Sequence, residues 1–305
     1  MKTKPHNWCV GTSGWEHEGF DSTLYQMGEA DALEKLRYYS RFFETTEVRS
    51  TFWDEDISEA EAKEWIAAVE HNSRFQFTFK LHFSFTHKKD LNTTRARKIR
   101  GVAQEFFQAN RLGGMLAQFP YAFTNTSSHR QYLAKLAELF RGFPIHVEFR
   151  HDSWDQSTIV RLLEDCQLRS VSSDLPRISR FIPCLTRQVG DVVYVRLHGR
   201  NEKGWLTNEM DSRYSYLYNA RELREIIRRI QLLAGNAQKV IVICNNTPEG
   251  KGLANALQIS SYVQEGKQIP LPPATAAAFP FLLERGAVLN DEWGFGTAEE
   301  FRKAI

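Results

Sequence analysis

Eight short apolar runs with strand character recur along the 305 residues, at 8–12, 46–52, 75–81, 114–119, 145–149, 168–173, 192–197 and 239–244. Most are separated by longer segments with helical spacing, at 32–43, 58–70, 94–109, 127–140, 156–165 and 220–233, and a further helix is expected near 253–263. Strands that alternate with helices pair in parallel through right-handed crossovers, and eight such units close into a (β/α)8 barrel. The alternative is an open, doubly wound sheet, but no G-x-G-x-x-G follows the first run. Gly11, Ser13 and Gly14 form only a short small-residue turn that would bring backbone amides near an anion. The sixth crossover, 175–190, is the weakest because Pro176, Pro183 and Gly190 interrupt it. The expected architecture is therefore a single α/β domain, a (β/α)8 barrel of the TIM type over 1–267. A C-terminal extension, 268–305, is expected to pack on the barrel, since its Pro- and Ala-rich start leads into aromatic residues that argue against plain disorder.

The 42% apolar and 25% charged residues are ordinary for a soluble chain, and no apolar run approaches the roughly 20 residues that span a bilayer. Pro5, His6 and Asn7 fall where a signal peptide needs its apolar centre, so a cytoplasmic location with no membrane partner is expected. Cys9, Cys166, Cys184 and Cys244 are scattered with no C-x-x-C, which suggests neither a zinc ribbon nor a disulfide scaffold. A formal charge of +2 does not mark a nucleic-acid binder, although a local basic patch would still hold phosphate. Oligomeric state is not legible.

Polar residues gather where the strand-like runs end. Glu148 and Arg150 share one face of I-H-V-E-F-R-H, and Arg196 and His198 share one face of V-V-Y-V-R-L-H-G-R. Ser13, Arg49, Thr51, Lys80, His82, Gln118, Asp174, Asn245 and Asn246 lie at corresponding ends. In a barrel these ends form one mouth, the face where such folds carry their ligand sites. Pairs such as Glu148 with Arg150, or Asp174 with Arg196, would alternatively be ion pairs that only close the barrel top, since buried charges are paired whatever their function.

Lys80, Arg150 and Arg196 converging on a cavity suit an anion, phosphate first. Glu148 and Asp174 would supply a general base and acid, and His198 would shuttle protons. Trp15 and Trp205 follow polar strand ends in loops, where an aromatic wall would stack on a base or sugar ring. His82, Glu148, Asp174 and His198 are metal-ligand types, but no H-E-x-x-H is present and interleaved cations repel a dication, so no metal or cofactor is assigned. The functional expectation is an enzyme acting without metal on a phosphate-bearing ligand: a nucleotide, a nucleic-acid end or a sugar phosphate. The rival is a non-catalytic protein that binds a ligand or nucleic acid at the same mouth.

The motifs G-T-S-G-W at Gly11–Trp15, E-V-R-S-T-F-W at Glu47–Trp53, F-x-F-x-F-K from Phe75 with Thr86 and His87, and Q-F-P at Gln118–Pro120 run in order. They continue as V-E-F-R-H-D-S-W at Val147–Trp154, S-D-L-P at Ser173–Pro176, Y-V-R-L-H-G-R at Tyr194–Arg200 and C-N-N-T-P-E-G-K-G-L-A-N-A-L at Cys244–Leu257. In this series the chain resembles the YecE-like proteins, domain-of-unknown-function family 72, over roughly 8–263. The resemblance implies a TIM-type barrel and adds His87 to the candidate site beside Lys80. It supplies no reaction; a likeness in fold to sugar isomerases and endonuclease IV brings no metal ligands onto this chain. Where the family pattern reads E-x-N-S-T-F-Y and Q-L-P-P, this chain carries Arg49, Trp53 and Tyr121, which would alter ligand size or access.

Overall fold

Parallel pairing runs unbroken around the sheet. In the computed structural model, which describes residues 6–25, 30–53, 57–178, 181–182, 188–207, 210–235, 237–264, 268–285 and 288–289, eight strands pair in chain order and the last returns to the first. They are β1 Asn7–Ser13, β2 Thr45–Val48, β3 Gln76–Lys80, β4 Leu112–Gln118, β5 Ile145–Glu148, β6 Arg169–Asp174, β7 Val192–Leu197 and β8 Lys239–Cys244. The helices are α1 Glu18–Thr23, α2 Ala32–Tyr39, α3 Glu59–Ala68, α4 Thr93–Gln108, α5 Ser127–Leu139, α6 Thr158–Asp165, α7 Glu202–Thr207, α8 Met210–Tyr214, α9 Ala220–Ala234, α10 Lys251–Val263 and α11 Pro273–Ala278. The (β/α)8 barrel expected from the alternating pattern is the fold.

Alternation along each strand sorts its residues into two environments. Cys9, Tyr194, Ile241 and Ile243 pack together inside the barrel. Trp8, Val10, Val193, Val195, Val240 and Val242, at the intervening positions, join the apolar layer under the helices. The helices meet that layer with one face: α9 buries Leu223, Ile226, Ile227 and Ile230, an i, i+3, i+4, i+7 stripe, after an Asn219 capping box. β1 and β2 approach closely at Gly11, where a Cβ would lie 1.7 Å from the Thr45 carbonyl oxygen. Any side chain there would separate the two strands.

Three local departures from the periodicity have physical causes. The second run, expected to stay extended to 52, leaves the sheet after Val48 and turns as a 3-10 segment over Ser50–Phe52. Thr51 Oγ1 donates to the Lys80 carbonyl at 2.7 Å, a contact with the next strand that local sequence does not encode. The short helices α1, α7 and α8 stand in the loops after β1 and β7, too brief to show a 3.6-residue period. The sixth crossover shows no helix among its described residues; Phe181 bridges instead to His151.

Beyond 268, Ile269, Leu271, Ala274, Ala276 and Leu282 are buried, and Thr275 Oγ1 donates to the Thr23 carbonyl of α1 at 2.6 Å. Cys9, Cys166 and Cys244 are free thiols; Cys184 lies outside the described residues. Among the described residues no helix is long and apolar enough to cross a membrane.

Candidate functional site

A layer of charge closes the upper interior of the barrel. Arg196, on β7, reaches across to Glu47 on β2 through two hydrogen bonds, Nε to Oε2 at 2.8 Å and Nη2 to Oε1 at 2.6 Å. Its Nη1 donates to Glu148 Oε2 on β5 at 2.5 Å. Glu148 Oε1 in turn lies 2.7 Å from Arg150 Nε. Glu47 also accepts from Ser13 Oγ at 3.0 Å and from the Tyr194 hydroxyl at 2.8 Å, so both its oxygens are filled. Glu47 and Glu148 are fully buried.

Burial alone would raise the Glu148 pKa, but Arg196, Arg150 and His198 more than reverse that and hold it well below the usual carboxylate range. Burial likewise opposes the charge on Arg196, and Glu148 and Glu47 overcome it, raising its pKa above the ordinary guanidinium value. These groups are a charged floor, two carboxylates locked against two guanidinium groups.

Above the floor opens a cavity of about 530 Å³ at the carboxyl end of the strands. Lys80, Gln118, Arg150, Arg196, His198 and Asn245 from the expected site line it, and Trp15 stands in its wall. Trp15 donates Nε1 to the Ala32 carbonyl at 3.0 Å and meets Trp65 edge-on at 4.9 Å. Gln118 donates to the Phe119 carbonyl at 2.8 Å. Lys80 ends β3 inside this ring. Loss of hydration, then repulsion by Arg196, lowers its pKa to about 7 against the attraction of Glu47 and Glu148.

His198 is held neutral. Burial first, then Arg150 and Arg196, push its pKa down to about 3, although Glu148 opposes them. Asn245 Nδ2 lies 2.8 Å from Nδ1, and Nε2 faces Glu148 Oε1 at 3.4 Å, Arg196 Nη1 at 3.4 Å and Arg150 Nη2 at 3.5 Å. A pKa lowered this far leaves little of the imidazolium form that the expected proton shuttle uses near neutrality.

Other expected residues take supporting places. Asp174 lies outside the cavity wall: Arg200 grips it with Nε at 2.7 Å and Nη2 at 2.9 Å, and the Tyr218 hydroxyl donates at 2.7 Å. Its partner is Arg200, not Arg196. Asn246 points to the helix side, donating to the Tyr216 carbonyl at 2.7 Å and to Asn255 Oδ1 at 2.9 Å. Ser13 donates to Glu47 from the paired position on β1, and Thr51 ties the turn after β2 to β3. His87, exposed on a π-helical turn at Ser84–Lys88, pairs with Thr86 Oγ1 at 2.9 Å. Its pKa is lowered by desolvation first and then by the fields of Lys80 and Arg150, so it feels the site without lining the cavity.

Glu47 and Tyr194 belong to this charged layer and were not expected there from sequence; Tyr214, one of the aromatic residues that follow the strand ends, lines the cavity with Arg49. A signal for Glu47 existed, because E-V-R at 47–49 repeats the E-F-R of 148–150. Of the three departures from the family pattern, Arg49 and Trp53 line the cavity, Trp53 being 58% exposed at its rim. Burial lowers the Arg49 pKa, with Glu47 opposing and Arg196 adding to the fall. Tyr121 instead packs on His151 at 4.9 Å and Phe181 at 5.4 Å. Trp205 stacks on the Arg150 and Arg213 guanidinium groups, at 5.6 and 5.4 Å from its ring. Among the described residues no three of His, Cys, Asp and Glu come together as a metal-ligand set.

The model of the family described as protein of unknown function DUF72 matches residues 9–278. The UPF0759 protein YunF of Bacillus subtilis (strain 168) is 26% identical over 268 residues, covering 82% of this chain and 92% of YunF. A crystal structure of a DUF72 family protein from Thermotoga maritima MSB8 superimposes with a TM-score of 0.75 at 27% identity, covering 85% of this chain and all of that one. Another, from Enterococcus faecalis V583, shares the fold with a TM-score of 0.75 at 22% identity, covering 86% and 97% of the two chains. A match that spans every barrel strand and the whole charged mouth makes this chain a member of the DUF72 family.

Proposed function

We propose that the mouth is the site of an enzyme acting on a phosphate-bearing small molecule, of the nucleotide or sugar-phosphate class. One observation carries this reading. Arg49, Lys80, Arg150 and Arg196 face a single cavity, against one carboxylate in its wall, Glu16, and two beneath it, Glu47 and Glu148, which are both bound to guanidinium groups. The surplus positive charge sits in a partly enclosed space, where it is screened less than on an open surface and a phosphate gains more.

The division of labour differs from the simplest one. Arg196, engaged by both carboxylates, contributes charge and rigidity, while Arg150 and Arg49 offer donors at the wall. Glu148 is too weak a base to take a proton, since its carboxylate is stabilised by two cations. Lys80 becomes the candidate reacting group, because a pKa of about 7 populates both its forms near neutrality. Asp174 orients the Arg200 loop.

Titration calorimetry with inorganic phosphate at low salt tests the reading. Arg150→Gln is expected to weaken binding about 10- to 100-fold, the worth of a charge-assisted hydrogen bond of about 1.5–3 kcal/mol. Arg49→Gln, which leaves the Glu148 pair intact, should weaken it in the same direction. Phosphate that fails to bind the native protein, or that binds both variants unchanged, overturns the assignment.

A further inference from the structure

What a phosphate-bearing ligand would present to the floor of the cavity is set by Lys80. This residue ends β3, two positions after Thr78, whose Oγ1 lies 3.0 Å from the interior Tyr194 hydroxyl. Alternation therefore places Lys80 on the same inward face, one layer higher, where it lines the cavity with Arg49, Gln118 and Arg150. Its main chain is pinned on both sides: Thr51 Oγ1 donates to its carbonyl at 2.7 Å, and the next amide, Leu81 N, donates to the Leu116 carbonyl at 2.9 Å. The amine thus has a short, fixed base and a wall of arginines that cannot give up their charge.

We propose that Lys80 is an amine nucleophile that condenses with the carbonyl carbon of a phosphate-bearing aldehyde or ketone, an assignment that rests on the anion-binding reading of the same mouth. The neutral Nζ forms a bond to the carbonyl carbon as the C=O π pair moves to oxygen. A proton passes from nitrogen to that oxygen, giving a carbinolamine. One further proton from solvent lets the hydroxyl leave as water while the nitrogen lone pair closes the C=N bond. The balance is R–NH2 + O=C + H+ → R–NH+=C + H2O, with no change of oxidation state. The iminium keeps one positive charge at the position of the ammonium and draws electrons from the neighbouring carbon, the requirement for carbon–carbon cleavage or proton abstraction beside a carbonyl. Arg150 and Arg49 would hold the phosphate while the carbonyl end meets Lys80.

Several features favour an amine over a carboxylate nucleophile here. Glu47 is engaged by Arg196, Ser13 and Tyr194, and Glu148 by Arg196 and Arg150, and neither is exposed. Lys80 lines the cavity and is near half-neutral at pH 7, so the amine form that attacks carbonyls is populated.

The test is reductive trapping. The full chain is incubated at pH 7 with dihydroxyacetone phosphate and sodium cyanoborohydride, and the adduct is located by peptide mass mapping; dihydroxyacetone serves as the unphosphorylated comparison. The expected result is one dominant adduct on Lys80, formed at least tenfold faster than on any other lysine, suppressed by inorganic phosphate, and absent in Lys80→Met and Lys80→Arg. Should either variant fold poorly, competitive acetylation of the native protein across pH gives a second measurement, with a Lys80 midpoint near 7 where surface lysines titrate near 10. Phosphate binding by calorimetry without a Lys80 adduct overturns the nucleophile and leaves the anion site standing. Equal labelling of Lys80 by both ketones without phosphate binding overturns the anion reading and, with it, the phosphate-bearing substrate. Adducts spread over surface lysines with Lys80 no faster also overturn the proposal.

Discussion

Glu148→Gln isolates the charge of the barrel floor from its shape. Glutamine fills the same volume, but Arg196 Nη1, 2.5 Å from the carboxylate, and Arg150 Nε, 2.7 Å from it, both lose their anion. Glu47 then stands alone against two guanidinium groups, in a layer where Glu148 and Glu47 are fully buried and Arg196 is 2% exposed. Removing one partner of a buried pair costs about 3–5 kcal/mol. For a chain of this size each kcal/mol moves the melting temperature by about 2 °C, so Tm should fall by about 6–10 °C at pH 7. The pH dependence has a definite sign. The folded pKa of Glu148 lies well below its ordinary value of 4.5 because the flanking cations outweigh burial. Its contribution is therefore complete above the unfolded pKa and is lost as pH falls through the folded one. The stability gap between native protein and variant should hold from pH 7 to about 5 and narrow on further acidification. Thermal unfolding followed by circular dichroism across that range measures it. A variant within about 1 kcal/mol of the native protein at pH 7, or a gap indifferent to acid, would refute the view that Glu148 anchors the floor.

Asp174→Asn should lower stability by about 2–3 kcal/mol, the smaller figure for a pair whose Arg200 reaches solvent, yet leave phosphate affinity within about twofold. A larger loss of affinity would return Asp174 to the ligand site. Sulfate, whose charge is constant in this range, should bind about tenfold more weakly at pH 9 than at pH 6, because Lys80 loses its proton near pH 7. Lys80→Met should flatten that profile, and a flat profile in the native protein would remove Lys80 from the anion site. Gly11→Ala should cost more than the usual 1–3 kcal/mol of overpacking, since its Cβ meets the Thr45 backbone rather than a movable side chain. Soluble, cooperatively unfolding Gly11→Ala protein with native Tm would contradict the β1–β2 geometry.

Much of the lining of the mouth was readable from strand parity. Glu148 and Arg150 share an inward face in the structure as the alternation requires, and Lys80, Gln118, Arg196, His198 and Asn245 line the mouth. The same rule separates two residues that were grouped with them. Ser173 registers with Arg196, so Asp174, one residue on, turns outward to Arg200 and Tyr218. Asn245 faces His198, so Asn246 turns outward to Asn255 on α10. Parity also marks Glu47, two residues before Arg49. What parity did not reveal is where a strand ends: β2 stops at Val48, and Thr51 in the turn that follows meets β3.

By itself the sequence determined the eight strand–helix units and the face on which each charged residue lies, because both follow from local periodicity and the two-residue repeat of a strand. Only closure of the barrel decided which charges meet. Glu47 and Arg196 stand 149 residues apart, and they join because β8 returns to β1 in a register that sets β2 and β7 facing each other across the interior. Closure also buried these side chains, and with burial came the neutral His198, the anionic Glu148 and the half-neutral amine of Lys80. Each of those states depends on burial together with charges supplied by distant strands, which no local stretch of sequence contains.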